Sequence, residues 1–357
     1  MWLYMPTKVL SEDDCVINHA RELAAFGKKA MIVTGRHSAK SCGALDDVLT
    51  ALEKQGVDHI LFERVEENPS IETVMAAREL AIAEKVDFFI GIGGGSPMDA
   101  AKAIALMTAN PQEDEGALYT AKPLSHLPVV CIPTTCGTGS EVTPYAILTR
   151  HALRTKKSIS HRIYPALALL DAKYLRSMSR KGIVSTAVDA LAHLLESYLN
   201  TNTNELNRIY TREGLRLWGQ FKKRLAGDCL REEDYALMLH ASMAAGMSIT
   251  HTGTSIPHGM SYPVTYELGV PHGTAVGMFL GGFVENYPDK EAAQQAMDIL
   301  GFENAKAFHA YITRLLGTVE VPENVLKTGV DLLLCDPAKL KNYPFPITEE
   351  ELLTMAN

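Results

Sequence analysis

The chain has 357 residues, with 34 Lys and Arg against 42 Asp and Glu, which gives a formal net charge of −8 at pH 7. Without a basic run, this balance argues against nucleic acids and anionic membrane surfaces as partners. The amino terminus lacks the features of a signal peptide, and no apolar run approaches the ~20 residues of a transmembrane helix. Six scattered cysteines without a CxxC pair are typical of reduced cytosolic thiols. The sequence therefore predicts a cytoplasmic globular protein.

Short β-rich runs alternate with helical stretches in the first half of the chain. The candidate strands span residues 29–35, 59–65, 86–93, 128–135 and 166–171. This alternation predicts an α/β domain whose parallel sheet is covered by helices on both faces. From about residue 177 the strand signals vanish and helical periodicity dominates. We therefore expect an α/β domain over residues 1–176, an all-helical domain over 177–357, and a ligand site in the cleft between them.

The run VDFFIGIGGGSPMDAAKAIALM, residues 86–107, predicts a buried strand that ends in glycines and continues into a helix. Ser96 suits the N-cap of that helix, and Asp99 lies three residues after it. Glycines before a helix N-terminus leave backbone N–H groups open to a pyrophosphate. The spacing differs from GxGxxG and from a Walker A loop, so a plain strand-to-helix turn stays open as an alternative. The candidate cofactor contacts are Gly93, Gly94 and Gly95.

A second polar turn, residues 131–149, follows the next candidate strand. Ligands of parallel sheets bind at the carboxyl ends of the strands, where this turn and the glycine loop both lie. A cluster of capping and turn residues is the other interpretation. Two such loops at neighbouring strand ends favour a nucleotide site. The hydroxyl side chains of the turn are Thr134, Thr135, Thr138, Ser140 and Thr143.

The segment VDALAH places Asp189 and His193 four residues apart, on one face of a predicted helix. A carboxylate and an imidazole at this spacing can hold one divalent ion, although a surface pair or a buried structural histidine has the same spacing. His258 and His272 each precede a glycine, where the backbone can come close to an ion. One Asp and three His would form an N/O ligand set for a divalent transition metal. His251, two turns before His258, is the alternative ligand.

These motifs together resemble the group III, or iron-containing, alcohol dehydrogenases over essentially the whole chain. The matching segments follow family order and spacing: GGGSPMDAAKA, PTTCGTGSEVTPYAILT, VDALAHLLESYL, HGMSYP and PHGTAVGM. The chain most looks like the members that act on short primary alcohols or diols, such as 1,3-propanediol and butanol dehydrogenases.

The resemblance implies a dehydroquinate synthase-like architecture and hydride transfer between a nicotinamide cofactor and an alcohol or aldehyde. It also implies one divalent metal, Fe²⁺ with Zn²⁺ as the alternative, and a homodimer or higher homo-oligomer in which MWLYMPTKVL could pair as an edge strand. The implied metal ligands are Asp189, His193, His258 and His272. The implied cofactor contacts are Gly94, Gly95, Ser96, Asp99, Thr134, Thr135 and Thr138, with Lys157 in TKKSIS as a further match.

Two departures from the family pattern bear on mechanism. Tyr262 stands where many relatives carry a histidine that is a candidate proton relay, and a phenol is a poor base at neutral pH. Gly35 stands where NAD-preferring relatives tend to carry an aspartate, which accepts from the ribose 2′-OH and repels a 2′-phosphate. Without that acid, and with nearby cations, the sequence favours NADP(H) over NAD(H), against the alternative of an ordinary turn with exposed basic residues. The residues concerned are Gly35, Arg36, His37, Ser38 and Lys40.

Three other functions stay open. A dehydroquinate synthase-like lyase would need a basic cluster for its polyanionic substrate, and none surrounds the ligand motifs. A metal-free maleylacetate-type reductase would be expected to lack the set of one Asp and three His. The third is a nucleotide-binding scaffold without catalysis, which an intact ligand set disfavours.

Overall fold

The computed structural model describes residues 2–153, 155–317 and 319–356, which form two compact units. An α/β unit contains Met5–Thr135 and Ser140–Ser177. A helical unit contains the residues up to Tyr4, the segment Cys136–Gly139 and the chain from Met178 onward. Cys136–Gly139 thus groups with the helices although it interrupts the sequence of the α/β unit.

A six-stranded parallel sheet forms the centre of the α/β unit. Its order is β1-β8-β5-β4-β2-β3, which confirms the predicted parallel sheet, while β6 and β7 lie apart from it. Strand β1 lies at one edge and pairs with β8, and its pairing across a dimer stays a prediction. The strands are β1 (Lys8–Ser11), β2 (Lys29–Thr34), β3 (Asp58–Phe62), β4 (Phe88–Gly93), β5 (Val129–Pro133), β6 (Ile147–Arg150), β7 (Thr155–Ser158) and β8 (Leu167–Leu170).

Apolar clusters cover both faces of the sheet, because alternate residues of a strand point to opposite faces. On β2, Met31 and Val33 belong to one cluster, and Ala30 and Ile32 belong to the other. Helices contribute to both clusters, as the sequence predicted. They are α1 (Cys15–Asn18), α2 (Ala20–Ala24), α3 (Ser38–Ser41), α4 (Ala44–Gln55), α5 (Ile71–Ala83) and α6 (Gly95–Ala109). Short 3₁₀ helices span Glu115–Tyr119, His151–Leu153 and Ala172–Leu175.

Strands β6 and β7 form an antiparallel hairpin that the sequence analysis missed. Strand β7 reads TKKS and has no apolar side chain, so hydrophobic alternation could not reveal it. Lys157, a predicted cofactor contact, lies on this strand opposite Leu148. Its side chain is exposed, with the ammonium 5.8 Å from the centroid of the Tyr119 ring.

From Met178 onward, every regular element that the described residues form is a helix. The first of them, α7, begins where the Ser179 hydroxyl accepts a hydrogen bond from the Gly182 N–H. Among the described residues, no helix is long and apolar enough to cross a membrane. The helices are α7 (Arg180–Tyr198), α8 (Arg208–Ala226), α9 (Glu232–Thr252), α10 (Ile256–Leu268), α11 (His272–Glu285), α12 (Lys290–Leu300), α13 (Ala305–Leu316), α14 (Glu323–Leu334), α15 (Pro337–Leu340) and α16 (Glu349–Thr354).

A buried lysine, Lys102, ties helix α6 to the hydroxyl-rich turn of the α/β unit. Its ammonium donates to the carbonyl oxygens of Ser140 and Tyr145, each at 2.8 Å, and to the Ser140 hydroxyl at 2.7 Å. The Asp99 carboxylate accepts from the Ser140 hydroxyl at 2.6 Å and from the Ile147 N–H at 2.9 Å. Both oxygens of Asp99 are therefore engaged within the unit, and its predicted contact with a nucleotide stays a prediction.

Glu141, in the same turn, is a buried carboxyl group with an oxygen that lacks a hydrogen-bond partner. The residue is 1% exposed, and Oε1 is the atom without a partner among the described residues. Burial raises the pKa of Glu141 from 4.5 to about 7, against the opposing effects of its own backbone N–H and of Lys102. Between these two pH values the folded protein keeps a proton that the unfolded chain releases, so stability falls as the pH rises through this window.

We expect Glu141→Gln to raise the free energy of unfolding at pH 8 by up to about 3 kcal/mol, because the amide removes a carboxyl whose ionisation favours the unfolded chain. The gain should shrink at pH 5.5. Urea unfolding of the α/β unit at the two pH values measures both effects. Glu53→Gln, on the exposed side of α4, serves as the control. A gain that is equal at the two pH values would contradict the assignment.

Candidate functional site

Three ionisable side chains lie on one face of helix α7. Asp189, His193 and Glu196 follow one another at spacings of four and three residues, which is one turn each time. All three are buried, with exposed fractions of 3%, 6% and 0%. Buried ionisable groups need partners, and the neighbouring helices α10 and α11 provide them.

Helix α11 begins at His272 and lies directly against α7 at that point. A Cβ atom added to Gly273 would lie 1.9 Å from the Ser185 carbonyl oxygen and 2.8 Å from Asp189 Cβ. Only glycine lets the two helices approach this closely. The sequence predicted that the glycine after His272 gives room to an ion, whereas in the structure it gives room to helix α7.

The side chains of Asp189, His258 and His272 converge, with one ligand atom from each lying within 4.8 Å of the other two. Asp189 Oδ1 is 3.4 Å from His258 Nε2 and 3.8 Å from His272 Nε2. Donor atoms about 3.4 Å apart match a tetrahedral ion with bonds of about 2.1 Å. Asp189 Oδ1 and His258 Nε2 are buried without a hydrogen-bond partner among the described residues. Such atoms are rare unless a ligand completes them, so the residues fit a divalent ion.

His193, the fourth predicted ligand, lies beside this set of three. Its Nε2 is 3.9 Å from Asp189 Oδ1, and its ring stacks on the His258 ring with centroids 4.4 Å apart. The other ring nitrogen, Nδ1, is 3.3 Å from the Gly137 carbonyl oxygen, which belongs to the segment that groups with the helices. A hydrogen bond from Nδ1 leaves Nε2 available as a ligand on the side of Asp189.

Glu196 is a functional candidate that the sequence analysis missed. One carboxylate oxygen accepts from the His258 backbone N–H at 2.9 Å, and the other lies 2.5 Å from His258 Nδ1. A carboxylate on the far nitrogen of a histidine fixes the ring and directs Nε2 at the metal. The signal was present in VDALAHLLESYL, because Glu196 lies two helical turns after Asp189 and so shares its face.

The ionisable groups of this cluster shift one another's pKa values. Burial raises the pKa of Asp189, but the three histidines outweigh it and hold the pKa well below its usual value. Burial lowers the pKa of His258, yet Glu196 and Asp189 raise it to about 10. Burial, reinforced by His258, lowers the pKa of His193 to about 4. The two carboxylates favour a proton on His258, and a metal ion that binds Nε2 must displace it.

His251, the alternative ligand, lies outside the set of three. Its Nε2 accepts from the Tyr4 N–H at 3.2 Å, and its Nδ1 is 2.7 Å from the Met247 carbonyl oxygen. Both ring nitrogens are thus engaged away from Asp189. His251 is instead a structural histidine that holds the chain next to Tyr4.

In the α/β unit, the glycine loop joins β4 to α6 as predicted, but the helix begins two residues earlier than predicted. Gly94, not Ser96, is the N-cap, and Ser96 accepts the Asn68 N–H at 3.0 Å instead. Because glycine makes no side-chain cap, the first N–H groups of the helix stay open to a phosphate. An added Cβ on Gly91 would lie 3.0 Å from Met98 Cα, so this glycine allows α6 to pack closely on β4.

The hydroxyl-rich turn meets the glycine loop at the neighbouring strand end. Gly93 pairs with Pro133 across β4 and β5, and the Thr134 N–H donates to the Gly93 carbonyl oxygen at 2.9 Å. Thr135 Oγ1 lies 3.2 Å from the position of a Cβ on Gly94. The structure thus brings Gly93, Gly94, Thr134 and Thr135 together, whereas Thr138 belongs to the helical unit.

Comparison with known proteins follows the same division of the chain. The family model for iron-containing alcohol dehydrogenase matches residues 6–172, and the model for the C-terminal part of that family matches residues 183–333. The chain belongs to the iron-containing alcohol dehydrogenase family. The predicted resemblance is confirmed, and the protein is an NAD(P)-dependent oxidoreductase of this family.

Individual relatives agree with the family assignment. The chain is 30% identical over 326 residues to 1,3-propanediol dehydrogenase of Citrobacter freundii, covering 85% of this chain and 82% of that protein. It is 32% identical over 260 residues to NADPH-dependent butanol dehydrogenase of Clostridium saccharobutylicum, covering 71% and 66%. The crystal structure of an iron-containing alcohol dehydrogenase from Thermotoga maritima superposes with a TM-score of 0.91 at 35% identity, covering 99% and 98%.

At the two positions that depart from the family pattern, the structure defines the surroundings. Tyr262 is 39% exposed, and its ring is nearly parallel to that of His272 with centroids 6.2 Å apart. Gly35 follows β2, and the atom nearest to an added Cβ there would be the Val65 carbonyl oxygen at 3.4 Å. A Cβ atom at position 35 would therefore lie at ordinary van der Waals distance from its nearest neighbour.

We expect Glu196→Gln to weaken metal binding by about 10- to 100-fold, because the amide loses the charged acceptor for His258 Nδ1. The apparent Kd for Zn²⁺ or Fe²⁺, measured by competition with a chelator, tests this. Glu285→Gln is a matched control, since Glu285 forms a similar pair with His309 (Oε2 to Nδ1, 2.6 Å) outside the metal cluster. An unchanged Kd in Glu196→Gln would rule out an orienting role for the carboxylate.

Proposed function

We propose that this protein is a metal-dependent alcohol dehydrogenase that transfers hydride between NADP(H) and a short-chain primary alcohol or diol. The observation that carries the proposal is the pair of buried, unpartnered atoms Asp189 Oδ1 and His258 Nε2, which lie 3.4 Å apart. Two such atoms facing each other are stabilised by a cation between them. Fe²⁺ is the proposed ion, with Zn²⁺ as the alternative.

In this proposal the ion is held by Asp189, His193, His258 and His272. When bound, the metal supplies a Lewis acid for the substrate oxygen, and the nicotinamide supplies or accepts the hydride. The protein orients the ligands: Glu196 binds His258, and the Gly137 carbonyl oxygen binds His193. The His272 side chain is 35% exposed whereas those of Asp189 and His258 are 4% exposed, so we place the substrate on the His272 side.

The names of two relatives support the substrate class. The Citrobacter protein is named for 1,3-propanediol, and the Clostridium protein is named for butanol and NADPH. An intact set of one Asp and three His favours this function over that of a metal-free maleylacetate-type reductase. Short aldehydes such as butanal and 3-hydroxypropanal are therefore the first substrates to assay, by the loss of NADPH absorbance at 340 nm.

We expect His258→Ala to abolish aldehyde reduction and to lower the metal content of the purified protein, because the ion loses a neutral ligand. His251→Ala is the matched control, since this histidine has both ring nitrogens engaged elsewhere. Elemental analysis and the 340 nm assay on both variants provide the measurements. If His258→Ala keeps full metal content and rate, the proposed ligand set is incorrect.

For the cofactor, we propose that the pyrophosphate binds at the N-terminus of α6 and the ribose beside the end of β2. The glycine loop and the threonines of the neighbouring turn would contact the phosphates, through Gly93, Gly94, Gly95, Ser96, Thr134 and Thr135. Gly35 and Ser38 would lie near the ribose. Arg36 and His37 are exposed there, whereas the Lys40 ammonium already pairs with the Glu63 carboxylate and so contributes less to binding a 2′-phosphate.

We expect the wild-type protein to prefer NADPH, and Gly35→Asp to shift the preference towards NADH. A carboxylate beside a 2′-phosphate costs about 4 kcal/mol for one pair of unit charges at about 4 Å and an effective dielectric constant of about 20. Solvent reduces this to about 1–3 kcal/mol, or tenfold to a hundredfold in affinity. The ratio of kcat/KM for the two cofactors, measured on both proteins, gives the answer. A wild-type preference for NADH, or an unmoved ratio, would place the 2′-phosphate elsewhere.

A further inference from the structure

A cavity of about 460 Å³ lies in the helical unit, where the ends of helices α8 and α12 meet helix α13. Its volume falls within the range of about 300–1,000 Å³ that is typical of small-molecule sites. The cavity shares no residue with the metal cluster or with the proposed cofactor contacts. The side chains of its lining that matter for binding are Lys222, Lys223, Arg314, Glu303, Phe302 and Tyr311.

The lining carries an excess of positive charge. Lys222, Lys223 and Arg314 outnumber the single acid, Glu303, in a chain whose net charge is −8. Among the described residues, none of the three cations has a carboxylate oxygen within 4.0 Å. Burial lowers the pKa of Lys222, and the positive charge of Lys223 lowers that pKa further. Like charges this close repel each other, so an anion placed among them would be stabilised.

Lys222 is held in place by the backbone of two helices. Its ammonium donates to the carbonyl oxygens of Leu300 at 2.6 Å and Gly219 at 3.1 Å. An ammonium has three N–H groups, so one stays available to a ligand. A Cβ atom added to Gly301 would lie 2.9 Å from the Lys222 Nζ, so the glycine leaves that side of the ammonium uncovered. The cation is therefore fixed before any ligand binds, which lowers the entropic cost of binding.

Two aromatic rings form the apolar part of the lining. Phe302 and Tyr311 pack edge to face with ring centroids 5.2 Å apart, and the Lys222 ammonium is 5.3 Å from the centroid of the Phe302 ring. The Tyr311 hydroxyl donates to the Lys222 carbonyl oxygen at 2.7 Å, which fixes that ring. Phe302 is partly exposed, whereas Tyr311 is buried. A ligand that joins an anionic group to a ring would contact both the cations and Phe302.

We propose that this cavity binds a phosphomonoester whose organic part is a ring, with the phosphate among the three cations and the ring against Phe302. A phosphate group fits better than a carboxylate, because it carries more charge and offers three acceptor oxygens to three cations. The inference goes beyond the proposed function and does not depend on it. The competing explanation is structural, since Lys223 and Arg314 lie in the last turns of α8 and α13, where a positive charge stabilises a helix C-terminus.

The test is a calorimetric titration of phenyl phosphate into the metal-loaded protein, with NADPH and NADH present to occupy the proposed cofactor site. We expect one binding site with a Kd below about 1 mM. Lys223→Met and Arg314→Met should each raise the Kd about 3- to 10-fold, and the double variant should raise it more, because each change removes a charge-assisted hydrogen bond. Arg314→Lys should restore most of the affinity, because the charge is kept. Lys327→Met, on the exposed side of α14, is the matched control and should leave the Kd unchanged.

Two simpler compounds separate the parts of the ligand. Inorganic phosphate should bind more weakly than phenyl phosphate but respond to the same variants, and phenol, which has the ring without the charge, should not bind at this site. If phenyl phosphate does not bind, or if its Kd is unchanged in the double variant, the two cations only stabilise helix ends and the inference is overturned. Equal affinities for phenyl phosphate and inorganic phosphate would overturn the assignment of a ligand with a ring.

Discussion

The helical unit depends on the burial of one carboxylate, Asp189. A buried negative charge is unfavourable unless other groups compensate it, and here three histidines lie within 3.4–3.9 Å of its Oδ1 atom. The histidines come from α7, α10 and α11, so these helices must approach one another closely. Gly273 permits the approach of α11, because any side chain there would overlap the backbone of α7. Packing and electrostatics are thus set by the same contact.

A second layer of hydrogen bonds determines which histidine nitrogens face the carboxylate. Glu196 occupies Nδ1 of His258, and the Gly137 carbonyl oxygen occupies Nδ1 of His193, so Nε2 of each ring is directed at Asp189. Gly137 lies in the segment Cys136–Gly139, which packs against the helices without side chains in the way: a Cβ on Gly139 would lie 2.5 Å from Gly246 Cα. The glycines of the CGTG sequence are therefore explained by the helical unit.

In the α/β unit, the feature that matters most for function is the N-terminus of helix α6, which has no side-chain cap. Gly94 as N-cap provides no side chain to bind the first N–H groups of α6, and Gly91 lets that helix pack closely on β4. Lys102, Asp99 and Ser140 form a buried network that holds the following turn in position. Polar residues that resemble ligand contacts in the sequence thus also stabilise the loops around the proposed nucleotide site.

The sequence by itself determined the parallel sheet, the helical second half, the family, and the histidines that gather at Asp189, because hydrophobic periodicity and motif spacing are local properties. The tertiary structure decided the rest. Ser96 is not the N-cap of α6, and its hydroxyl instead accepts a hydrogen bond from the N–H of Asn68, which is distant in sequence. Glu196 and Gly273 have their roles because the fold places α10 and α11 against α7. Glu196 binds His258 of α10, and Gly273 of α11 packs against the backbone of α7. Such contacts between distant residues leave no periodic trace in the sequence.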